Sequence, residues 1–155
     1  MTETSAQDTT LVLTRTFDAP RELVFKAFID PDQLTQWFGP VGVSTPRELI
    51  EVDPRVGGVW RLTMVMDEDG ARSPIDAVIT RFVEPELLEA HISAEAMDRD
   101  NTHLDVSMLL TFEDDGGRTR LTLRQGPFPS RDFTDQTHEG WESSFTRLDR
   151  LLVRT

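Results

Sequence analysis

A chain of 155 residues, 37% hydrophobic and 28% charged, is the size of one domain with a core of its own. Its net charge of −12 argues against a sequence-independent grip on nucleic-acid phosphates and against an anionic membrane surface. Without cysteine there is no disulfide, thiolate metal site or thiol nucleophile, and no apolar run approaches the ~20 residues that span a bilayer.

Residues 1–10, MTETSAQDTT, have neither the basic start nor the apolar run of a signal peptide and read as a disordered polar tail on a cytoplasmic protein. Leu11 to Phe17 alternates with a period of two, a strand. Asp18 as N-cap and Pro20 in the first turn open a helix whose apolar face is Leu23, Val24, Ala27 and Phe28. Pro31 ends it, since a residue before proline avoids helical backbone. Asp30 caps a second short helix that carries Leu34, Trp37 and Phe38 and stops at Gly39-Pro40.

From there the pattern is extended. Val43 to Val52 reads as a strand, with Pro46 at an edge or bulge. The run DPRVGG is a turn, in which Gly57-Gly58 supplies positive φ rather than a phosphate cradle, since it opens a strand and lacks the lysine of a P-loop. Val59 to Met66 alternates, with Trp60, Leu62, Met64 and Met66 on one face and Arg61, Thr63 and Val65 on the other. Strands follow at Ser73–Val83, Leu87–Ser93, Leu104–Phe112 and Thr119–Gln125, separated by turns and by a loop at Glu95–Asn101. Prolines break Gly126 to Phe133. His138, Trp141, Phe145, Leu148 and Leu152 then recur at spacings of three or four, a long one-faced helix.

Strand, two helices, six meandering strands and a long helix make an α+β domain. Only the last helix is long enough to cover the sheet, so the paired short helices close one end with Trp37 and Phe38. A curved sheet gripping one helix leaves room for a cavity between them. Trp60, Met64, Met66 and Met108 on the apolar faces are then either core or the lining of a pocket, for which adaptable methionine is well suited. Arg61, on the other face, is expected to pair with surface carboxylates.

His91, His103 and His138 lie too far apart for the short ligand spacings of zinc sites. His138 and Glu142 are four apart on one helix face. They read as a capping or surface contact, with a general-base pair as the alternative, because no nucleophile or oxyanion partner accompanies them.

The segment FDAPRELVFKAFIDPDQLTQWFGP resembles the N-terminal signature of the START-related (SRPBCC) superfamily. Within it, DPRVGGVWRLTM, VEPELLEAH and HEGWESSFTRLDRLL are similar to motifs of the homologues of the heat-shock-protein-ninety ATPase activator, in the right order over roughly Leu11 to Val153. Val56 stands where that group often has proline, and Ala77 near a frequent glycine.

The resemblance implies a helix-grip fold, a curved antiparallel sheet around a long C-terminal helix, over a single domain at residues 11–155. It also implies a cavity for an apolar or amphipathic small molecule, with no catalysis, metal or organic cofactor expected. The lining expected from the strands is Trp60, Met64, Met66, His91 and Met108, and from the helices Trp37, Phe133 and Trp141. Some relatives are cyclases or hydrolases, which makes an enzyme using His138 or His91 one alternative. Others regulate a chaperone, which makes a stress-related protein-interaction domain another. A monomer or homodimer with no nucleic-acid or membrane partner fits these expectations.

Overall fold

The computed structural model describes residues 9–95 and 103–153. The polar tail up to residue 8 and all but the first residue of the Glu95–Asn101 loop lie outside them. Strand β1 (Leu11–Phe17) is followed by helices α1 (Arg21–Ile29) and α2 (Pro31–Trp37). Then come β2 (Val43–Ser44), β3 (Glu51–Val52), β4 (Val59–Met66), β5 (Arg72–Val83), β6 (Leu87–Glu95), β7 (His103–Asp115) and β8 (Arg118–Gly126). The 23-residue helix α3 (Arg131–Val153) is the last described element.

The strands form one antiparallel sheet in the order β1-β8-β7-β6-β5-β4-β2, with β3 also on β4. The meander follows from short polar turns between alternating strands, which place each strand beside its predecessor. β1 alone returns across the sheet to pair with β8. Inward residues such as Leu110, Phe112, Leu121 and Leu123 are buried in one core cluster with Phe145, Leu148 and Leu152 of α3. This is the α+β helix-grip arrangement expected from the order of elements.

The paired short helices are held by two tryptophans. The last carbonyls of α1 have no partner within the helix. Trp37 Nε1–H donates to the Ala27 carbonyl at 2.9 Å, and Trp60 Nε1–H to the Phe28 carbonyl at 2.8 Å. One indole comes from the next helix and the other from the sheet, so α1 is tied at its C-terminus to both. Phe25 and Phe28 meet Phe112 of β7 at ring separations of 5.1 and 5.6 Å.

Three local expectations are corrected. Asp18 does not cap α1; Pro20 is the N-cap and makes no side-chain cap bond, while exposed Asp18 approaches Arg118 at 3.7 Å. Asp18 stands two residues too early for its carboxylate to reach first-turn amides. Asp30, at the cap itself, accepts from the Asp32 amide at 2.9 Å as expected. Val43–Val52 is not one strand but two short strands separated by a 3-10 turn at Arg47–Leu49. Pro46 has no amide to donate, and buried Thr45 is turned onto α2, where its hydroxyl donates to the Phe38 carbonyl at 2.9 Å. Finally, the first turn of α3 begins inside the expected crossing, with the Phe133 amide donating to Ser130 Oγ at 3.1 Å.

The glycine pair is a turn. Gly57 has φ +85°, and a Cβ on Gly58 would lie 2.0 Å from the Asp53 carbonyl oxygen. Arg61 bonds Asp76 at 2.9 Å and Glu51 at 3.0 Å on the outer face.

Where the β5–β6 register shifts between Ile79 and Arg81, the Arg81 guanidinium bonds Glu89 at 3.0 and 3.2 Å, and Thr80 bonds it at 2.9 Å. The Arg81 hydrogen bond, with help from Thr80, holds the Glu89 carboxyl below its usual range. A depressed folded-state pKa contributes stability above the unfolded carboxylate pKa of about 4.3 that is lost as pH falls through the folded value. Arg81→Ala is therefore expected to lower the urea midpoint at pH 7, with the gap to wild type closing as pH falls below about 4. A gap that stays constant with pH would show that the pair is not linked to folding.

Candidate functional site

A cavity of about 300 Å³ opens between the inner face of the sheet and the N-terminal half of α3. Trp60 and Met64 of β4, with Ile92 of β6 and Met108 of β7, give it an apolar sheet wall. Phe133, Gly140 and Trp141 of α3 face that wall, and Phe38, Gly39 and Pro40 form a side. No Asp, Glu, Lys, Arg or His lines it among the described residues.

Each wall has a local cause. The strand residues alternate inward, which places them under the helix. The Phe38–Pro40 side is anchored by Arg147 of α3, whose guanidinium donates to the carbonyls of Gly39 (2.8 Å), Val43 (3.2 Å) and Gln36 (3.4 Å). The Gln36 and Gly39 carbonyls lie at and just past the C-terminal end of α2, where a cation is favoured. Near α3's start, Phe133 stacks on Phe128 at 5.5 Å.

Gly140 has no local backbone reason to be glycine. It lies inside α3 with no positive φ, and a Cβ there would have nothing within 4 Å. Its effect is to leave space in the cavity wall. Gly140→Ala is expected to raise stability by about 0.5–1 kcal/mol, read from the denaturant midpoint, because glycine is the poorer helix former. A fall in the midpoint would mean that the space above Gly140 is needed by the fold.

The polar groups in the wall are few. Thr137 and Ser144 spend their hydroxyl protons on the helix carbonyls of Phe133 (2.9 Å) and Gly140 (3.0 Å). Ser73 of β5 is buried. Gln125 of β8, also buried, accepts from Trp141 Nε1–H through Oε1 at 2.8 Å.

Of the residues expected from sequence, Trp60, Met64, Met108, Phe133 and Trp141 come together here. Trp37, Met66 and His91 do not line the cavity. Trp37 is wholly enclosed against Phe28, Phe38 and Phe145, one layer behind Phe38, which takes the place on the wall. Met66 is the last residue of β4, paired with Val43 beyond the cavity's edge. His91 lies between inward Ala90 and Ile92, so it points to the outer face, where its imidazole contacts Asp105. Ala77 is buried opposite Trp60 but lies outside the lining.

Phe38, Gln125 and Gly140 were missed. Gln125 was detectable as a polar residue at an inward position after Leu121 and Leu123, and Gly140 as a glycine inside a strong helix pattern.

Neither His91 nor His138, the acid–base alternatives, is among the residues that line the cavity. Glu142 reaches Arg15 at 3.7 Å. His103 lies on the outer face, 3.5 Å from Ser93 Oγ. Among the described residues, no three acidic or imidazole groups gather as metal ligands.

The sequence model of a family described as Activator of Hsp90 ATPase homolog 1-like protein matches residues 18–153. No curated protein matches the chain. Solved structures do. A Chromobacterium violaceum protein superposes with a TM-score of 0.83 at 24% identity, covering 93% of this chain and 96% of that one. The AHSA1 protein from Silicibacter pomeroyi gives 0.79 at 26% identity, covering 93% and 97%. A Mycobacterium smegmatis protein gives 0.77 at 25% identity, covering 98% and 96%. Among the described residues, no helix is long and apolar enough to cross a membrane.

Proposed function

The chain belongs to the Activator of Hsp90 ATPase homolog 1-like family, and from that premise we propose that it is a binding module for an apolar or amphipathic small molecule. The observation that carries this reading is the apolar cavity under α3. Its volume of about 300 Å³ lies at the lower end of small-molecule sites, and its wall has the usual make-up of such sites, apolar with a few placed polar groups.

The reading is binding without chemistry. Among the described residues, the polar groups facing the cavity are an amide and hydroxyls, with no acid, base or activated nucleophile beside them. A protein partner, which the family's name brings to mind, has less support. The most exposed large apolar residues, Val41 and Val153, stand apart, in the loop after α2 and at the end of α3. Single exposed apolar residues do not make a docking patch.

The test is a fluorescence titration with phenylnaphthylamine, a neutral dye that brightens in apolar surroundings. One saturable site per chain is expected, competed by other neutral aromatic compounds. Absence of saturable binding would overturn the proposal.

A further inference from the structure

The cavity has a polar handle with a defined orientation. An indole N–H can only donate, so the Gln125 oxygen must be the atom that faces Trp141. That fixes the amide, and the NH₂ group turns away from the indole. No acceptor among the described residues meets that nitrogen. Gln125 is only 8% exposed, yet no fully enclosed side-chain nitrogen or oxygen among the described residues lacks a partner. The nitrogen is therefore not sealed, and although Gln125 also borders a second hollow beside Ser107, Arg124 and Pro127, its side chain is held on the inner face by Trp141, so the nitrogen faces the cavity. Ser73, buried on the same lining, has a hydroxyl proton with no partner there either.

What the lining lacks matters equally. Among the described residues no cation faces the cavity, and the chain carries a net charge of −12. A carboxylate buried there would lose its hydration without gaining an ion pair, an unfavourable exchange. A wholly apolar ligand would leave the Gln125 donor dehydrated and unmatched.

We infer that the ligand is an uncharged molecule, apolar over most of its surface, with a hydrogen-bond acceptor such as a carbonyl or ether oxygen that the Gln125 amide nitrogen meets. This rests on the binding-module reading and specifies the ligand class for the same cavity. Ionised fatty acids are excluded as preferred ligands, while ketones, esters and amides of similar bulk are favoured.

Three probes of matched shape test it by isothermal titration at pH 7: acetylnaphthalene, isopropylnaphthalene and naphthoate. Wild type should bind the ketone roughly threefold to tenfold more tightly than the hydrocarbon, the worth of one net hydrogen bond. Naphthoate should bind more than about tenfold more weakly than the ketone.

Gln125→Leu alone strands the Trp141 N–H, so the decisive variant is Gln125→Leu with Trp141→Phe, made and compared in a Ser73→Ala background that removes the other free donor. That pair removes both partners and leaves neither unsatisfied. It should bind ketone and hydrocarbon equally. Equal binding of ketone and hydrocarbon by wild type, a ketone preference that survives the double variant, or tight naphthoate binding would each overturn the inference while leaving a binding module. If none of the three probes binds wild type, the inference falls together with the binding-module reading.

Discussion

Trp141→Ala is expected to destabilise the protein by about 3–5 kcal/mol, the range for deleting a large buried aromatic side chain. The indole is only 7% exposed. Its ring lies 5.6 Å from Phe38 and 5.5 Å from Phe145, and its N–H is the partner of Gln125. Truncation removes the apolar contacts, strands the Gln125 oxygen and widens a space that the surrounding walls have not closed. Trp141→Phe separates these contributions, since it keeps a ring and loses the hydrogen bond. Its expected cost is about 1–3 kcal/mol.

Phe145→Ala is the companion measurement. Phe145 is fully buried against Phe17, Trp37 and Trp141 and does not line the cavity. Its loss should be comparable, about 3–5 kcal/mol. Urea midpoints unchanged in both alanine variants would show that α3 does not cover the sheet.

Much of this architecture was legible because side-chain direction in a strand has a period of two. Leu11, Leu13 and Phe17 had to face one way, as did Val106, Met108 and Leu110, and one long amphipathic helix had to cover them. Reading failed where one residue's geometry decides the outcome. Asp30 and Asp18 have the same chemistry, but only Asp30 stands one residue before a helix. Pro46 cut a strand in two because buried Thr45 turned onto α2, a tertiary contact with no local signature.

The site was legible by the same rule and incomplete for a physical reason. Alternation identifies which residues face inward, but not which of them meet a void. Trp37 and Met66 belong to apolar faces, yet one is sealed in the core and the other lies beyond the cavity's edge. His91 shows the rule from the other side, since its own alternation places it outward. Gln125 and Gly140 broke local rules, a polar residue at an inward strand position and a glycine within a helix. Such breaks are where functional sites are to be sought.

Gly140 offers the sharpest test of the cavity. At a free concentration ~100 times its Kd, phenylnaphthylamine should stabilise the folded state by about 2.7 kcal/mol. For a chain this size that raises the melting temperature by about 5–10 °C. Gly140→Phe builds a ring from a point with no neighbour within 4 Å. It should therefore leave the melting temperature of the free protein unchanged or raised, since phenylalanine is also the better helix former, and it should abolish the ligand-induced rise. Loss of binding with stability retained distinguishes a blocked cavity from a damaged fold. Ala77→Phe gives the opposite pattern. Ala77 is 1% exposed, opposite Trp60 and outside the lining. A ring there overpacks the core at a cost of about 1–3 kcal/mol, while the ligand-induced rise is retained. A dye-induced rise that persists in Gly140→Phe would place the dye somewhere other than beneath α3, and the cavity would then have no claim to be the binding site.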